Sequence, residues 1–86
     1  MPEISRFFGI VITMYFNDHG PPHFHARYNE FRAIVAIERV ELRDGRLPPR
    51  VLGLVTKSAK LHQTELSANW TMLAVEGTFR RIAPLD

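Results

Sequence analysis

The sequence predicts an α+β fold: a three-stranded antiparallel sheet followed by one long C-terminal helix packed on one face, with a short extended tail. Three observations predict it. Apolar side chains alternate with a period of two through the first half of the chain. In the second half they recur at spacings of three and four, and clusters of Gly, Pro, Asn and Asp separate the segments. Strand side chains repeat every two residues and helical ones every 3.6, so the change of period marks the change of element.

The first strand covers residues 7–16. Phe8, Ile10, Ile12, Met14 and Phe16 alternate with Phe7, Gly9, Val11, Thr13 and Tyr15, which places the even residues in the core. Asn17, Asp18, Gly20, Pro21 and Pro22 end it, because proline has no amide hydrogen for a central ladder. Residues 23–28 form the second strand, with Phe24, Ala26 and Tyr28 on one face and His23, His25 and Arg27 on the other. Asn29-Glu30 reverses the chain, Asn29 being able to take the left-handed conformation. The third strand, 31–40, points Phe31, Ala33, Val35 and Ile37 to one side.

Asp44-Gly45 reads as a further turn, and Pro48-Pro49 suits the opening of a helix. Val51, Val55, Ala59, His62, Leu66, Trp70 and Leu73 then make one helical stripe, which Gly77 stops. The tail carries Arg80-Arg81 and then Ile82, Pro84 and Leu85, which dock as a short extended segment.

With 86 residues the expectation is a single domain, 1–86, burying only about 60% of the surface that its unfolded chain exposes. The absence of cysteine excludes disulfides and thiolate metal sites and suits a reducing compartment. The apolar run 7–16 is too short to span a bilayer and lacks a cleavage site, so the reading is a soluble, cytoplasmic protein with no membrane partner. A formal charge of +2 gives no argument for nucleic acid by itself. Nine of the eleven basic residues are arginines, whose forks suit phosphate or carboxylate, although ordinary surface charge also accounts for them.

Chemistry concentrates in NDHGPPHFHARY, residues 17–28, which holds three of the four histidines. Three readings compete. In the first, His23 and His25, two residues apart on a strand, bind one divalent metal such as zinc, and His19 or Asp18 completes a three-ligand site with an open position. In the second, His23 and His25 serve as general acid and base while Arg27 stabilises phosphate charge, as a ribonuclease would need. Arg27, Arg80 and Arg81 are then the nucleic-acid contacts. In the third, the histidines are half-exposed strand residues covering an open sheet face or a partner interface. His62 and Trp70, on the helical stripe, are structural in every reading.

The stretch Met14-Tyr15-Phe16-Asn17-Asp18-His19, followed by Pro21-Pro22-His23-Phe24-His25, resembles the small bacterial family of domain of unknown function 4160. The likeness extends from Ile4-Ser5-Arg6-Phe7 through Leu61-His62-Gln63, Trp70 and the closing Ile82-Ala83-Pro84-Leu85. Two departures are a turn at Asn29 where the family favours glycine, and Arg80-Arg81 where its tails are richer in lysine. The resemblance implies no activity. It implies a binding or regulatory component of a two-gene, toxin–antitoxin-like module, with transcriptional regulation among the roles assigned to members. The implied partner is a small operon-encoded protein of the domain of unknown function 2442 type, or a second copy of the chain.

Overall fold

The alternating first run is cut in two at Phe8-Gly9. The computed structural model describes residues 2–16 and 18–85. In it β1, Glu3–Phe7, and β2, Ile10–Thr13, form a hairpin in which Phe7 faces Ile10. Both loop residues have positive φ, 50° for Phe8 and 79° for Gly9. That is the turn whose twist matches two right-twisted strands, and it normally favours Asn-Gly. Phe8, expected in the core, is 55% exposed, while Phe7 is buried. Asn17, counted into the turn that ends the first strand, lies outside the described residues.

Next come β3, His23–Tyr28, and β4, Phe31–Ala36, joined through Asn29 at φ 52°. The turn 37–40 then leads into β5, Glu41–Arg46. All six residues of β5 are exposed, so an edge strand of this composition carries no alternation to read. Asp44-Gly45 does not turn the chain. Gly45, at φ 77°, pairs with Ala33 beside a register irregularity between Ile34 and Val35. A Cβ on Gly45 would lie 2.9 Å from Ala33 Cα, and the Asp44 carboxylate accepts the Gly45 amide at 2.8 Å. The pair serves a bulge rather than a hairpin loop.

The expected single helix is also two: α1, Pro49–Leu61, and α2, Gln63–Val75. They are interrupted at His62, where φ is −116° and ψ 25°. No glycine or proline marks the break, and apolar spacing runs through it. Its cause lies across the fold. The Gln63 amide donates to the carbonyls of Ile37 and Glu38, at 2.8 and 2.7 Å, tying the start of α2 to the turn before β5.

The architecture is therefore a five-stranded antiparallel sheet in the order β1-β2-β3-β4-β5 with two helices, which corrects the expectation of three strands and one long helix. Phe24, Ala26, Ala33, Val35 and Ile37 share one core with Val51, Val55 and Ala59 of α1 and Leu66 and Leu73 of α2. The tail closes it, with Ile82 and Leu85 buried and the Ile82 amide donating to the Ile4 carbonyl at 2.9 Å. Asn69, 1% exposed, clamps the tail by exchanging two 2.8 Å hydrogen bonds with the Arg80 backbone. Among the described residues no helix is long and apolar enough to cross a membrane.

Candidate metal centre

Because side chains alternate along β3, the residues between Phe24 and Ala26 point away from the helix-covered core. His25 lies there, opposite Thr13 of β2 and Ile34 of β4. Its ring meets the Tyr15 ring edge-on, with centroids 4.5 Å apart. His23, at the start of the strand, is only 8% exposed because Trp70 of α2 reaches it, the two ring centroids being 5.0 Å apart. The segment from Asp18 to Pro22 arches back over the end of β3, so that a residue five positions before His23 comes to its ring.

That residue is Asp18. Its Oδ2 lies 2.8 Å from His23 Nε2 and 3.6 Å from His25 Nε2, and one ligand atom from each of the three residues falls within 4.8 Å of the others. His19 is exposed and outside this group, and its backbone amide donates to Asp18 Oδ1 at 3.0 Å. Of the two residues that the sequence offers beside His23 and His25, Asp18 converges on the imidazoles and His19 does not.

His23 Nδ1 lies 3.0 Å from the Pro21 carbonyl oxygen, while its Nε2 faces the Asp18 carboxylate. Both partners are acceptors, yet a neutral imidazole has one N–H. With Nδ1–H donated to the carbonyl, Nε2 and Oδ2 face each other across a position that a proton or a metal ion must fill. Fixing the remote nitrogen of a ligand histidine on a carbonyl is a common way to hold its metal-binding tautomer. His25 Nε2 is buried and has no hydrogen-bond partner, since 3.6 Å to Asp18 is too long for one. An orphaned buried nitrogen is costly unless something binds it.

Electrostatics agree with the ligand states a metal requires. Burial holds the His25 pKa below its ordinary value, and the neighbouring Asp18 carboxylate only partly opposes that. For Asp18, burial works to raise the pKa, but the His19 amide and the two imidazoles outweigh it and hold the carboxyl below its usual range. A tetrahedral zinc site with bonds of about 2.05 Å has ligand-to-ligand edges of roughly 3.3 Å. The two separations from Asp18, 2.8 and 3.6 Å, straddle that length, and all three ligand atoms lie within 4.8 Å of one another.

The remaining residues predicted from the sequence are dispersed. Arg27 is exposed two positions beyond His25 and lines a groove on the sheet together with it. Arg80 and Arg81 border another, against α2, and Arg81 pairs with Glu3 at 3.0 Å. His62 hydrogen-bonds Glu65 at 2.7 Å, away from the cluster. Sequence reasoning missed Trp70 as the cover of His23, the Pro21 carbonyl as its anchor and Tyr15 as the neighbour of His25. No spacing rule connects those pairs.

Fold and site together define a small α+β domain carrying a two-histidine, one-carboxylate cluster at one end of its sheet. The chain belongs to the family described as Domain of unknown function (DUF4160), whose model matches residues 9–71, well over half of the 86. That span includes Asp18, His23, His25 and Trp70 and stops before the arginine-bearing tail. Neither the curated proteins nor the solved structures yield a match to the chain.

Proposed function

We propose that this chain is a metal-binding domain that holds one divalent ion such as zinc on Asp18, His23 and His25 with a coordination position left open. In this reading it acts as the binding or regulatory component of a bacterial, cytoplasmic two-protein module. The observation that carries the metal reading is the convergence of three ligand atoms within 4.8 Å, one of them the buried, unpartnered Nε2 of His25. Two imidazoles and a carboxylate match zinc and similar divalent transition metals, and an open fourth position admits a ligand or a hydrolytic water. A metal-free ribonuclease has less support, because His23 has an acceptor at each ring nitrogen and the His25 Nε2 is buried.

The module reading rests on the family resemblance and on apolar surface left outside the core. Leu61 is 65% and Val75 76% exposed, apolar side chains that a small operon-encoded protein of the domain of unknown function 2442 type, or a second copy, would cover. Co-expression with the neighbouring gene product and co-purification test that partner.

Metal analysis of protein purified without a histidine tag and dialysed after zinc addition tests the site. About one equivalent is expected, falling below about a tenth in His23→Ala, His25→Ala and Asp18→Asn. His19→Ala should retain the metal. Wild-type protein that keeps no zinc under these conditions would overturn the reading.

A further inference from the structure

Strand register lines up an unusual row of side chains across the whole sheet: Arg6 on β1, Val11 on β2, Arg27 on β3, Arg32 on β4 and Arg46 on β5. Directly opposite residues have Cβ atoms roughly 4.5–5.5 Å apart, and like charges in such pairs destabilise a sheet. The outer two arginines are compensated. Arg6 pairs with Glu3 at 2.7 Å, and the Arg46 guanidinium lies over the Phe31 ring, 5.7 Å from its centroid. The central two are not. Among the described residues neither Arg27 nor Arg32 has a carboxylate within salt-bridge distance.

Arg27 and Arg32 both line a groove of about 250 Å³ on the sheet, together with His25, Thr13, Tyr15 and Asp44. We propose that this groove binds a phosphate group, held between the Arg27 and Arg32 guanidiniums. Two arginine forks offer more donors than one carboxylate can accept, whereas a phosphate presents three terminal oxygens. The hydroxyls of Thr13 and Tyr15 add neutral donors. Asp44 is the one carboxylate in the wall and works against an anion, although its Oδ1 already accepts the Gly45 amide. Typical small-molecule sites begin at roughly 300 Å³, so the volume suits a phosphate with one small substituent rather than a large ligand.

His25 borders this groove and belongs to the metal cluster, two residues or roughly 6.6 Å along β3 from Arg27. A phosphate ester seated on the arginines therefore lies next to His25 of the proposed metal cluster. That adjacency, but not the anion site itself, rests on the metal reading. The ligand class is a phosphate ester, whether a free mononucleotide or a phosphate within single-stranded RNA.

The test is titration calorimetry at low salt on the whole chain stripped of metal with EDTA, using inorganic phosphate as the probe. Saturable one-site binding is expected, weakened at least about tenfold in Arg27→Gln/Arg32→Gln and unchanged in Arg80→Gln/Arg81→Gln. The first double variant should melt no lower than wild type without phosphate, because it removes a like-charge pair. Unchanged phosphate affinity in that variant, equal loss in the tail variant, or equal affinity for acetate would each overturn the proposal. Parallel titrations with a 5′-mononucleotide and a short single-stranded RNA identify the source, the tighter ligand naming it. Asp18→Asn separates the two readings. Phosphate binding that survives where zinc is lost supports the anion site, and loss of both with the fold intact overturns its independence from the metal.

Discussion

Trp70 shows how one side chain can serve packing and chemistry together. Its helical spacing places it on the apolar stripe, but the indole is only half-buried and packs against the His23 imidazole with the two rings tilted by 53°. Removing it uncovers the ring whose Nδ1 is anchored on Pro21. Trp70→Ala is expected to cost less than the ~3–5 kcal/mol of a fully buried aromatic, and to weaken zinc binding as well. Trp70→Phe should recover most of both. Urea denaturation paired with zinc titration checks this, and a variant that loses stability while keeping wild-type metal affinity would make Trp70 purely structural. Asn69, one residue earlier, is the opposite case: a buried polar group whose hydrogen bonds both go to the tail backbone. Nothing in its neighbours announces that, because its partner is Arg80.

At the level of elements, the β1–β2 hairpin departs furthest from what alternation suggests. A two-residue loop shifts the parity of the pattern, since the paired residues Phe7 and Ile10 share a face, but Phe8 is as apolar as Phe7 and so hides the shift. Gly9 was the only sign of the turn. Phe8 occupies a left-handed backbone conformation that side chains other than Asn, Asp and Gly seldom adopt, and its ring is mostly exposed. Phe8→Asn should therefore stabilise the protein, by up to about 1 kcal/mol after loss of its edge contact with Phe7. A lower denaturation midpoint for this variant would show that the aromatic contact outweighs the backbone strain.

Over the whole molecule, the two ends of the chain are joined through Glu3. Its carboxylate accepts from Arg6 on its own strand and from Arg81 in the tail, and these two guanidiniums draw its pKa from 4.5 down to about 2. A carboxyl with a depressed folded-state pKa stabilises the fold above its unfolded pKa and loses that contribution as pH falls through the folded one. The loss should therefore be spread between pH 4.5 and about 2. It should shrink at high salt, because both partners are exposed. Melting temperature measured across that range should fall less steeply for Glu3→Gln than for wild type. Identical slopes would remove Glu3 as the link.

The sequence by itself determined the strand from His23 to Tyr28 with its alternating faces, the reversal at Asn29, the stop at Gly77 and the break at Pro21-Pro22 that precedes that strand. Each follows from local rules of period, backbone permissiveness and proline chemistry that need no distant partner. Only the tertiary structure decided the edge strand β5, whose polar residues form a strand because β4 offers them a ladder, and the break at His62, set by carbonyls of a turn 25 and 26 residues away. The third member of the cluster was decided in the same way. The histidine spacing favoured His19, with Asp18 as its alternative, and the direction in which the arch folds back brought Asp18 to the imidazoles and left His19 in solvent. Local sequence limits which conformations a segment can adopt, while the partners that select among them come from elsewhere in the chain.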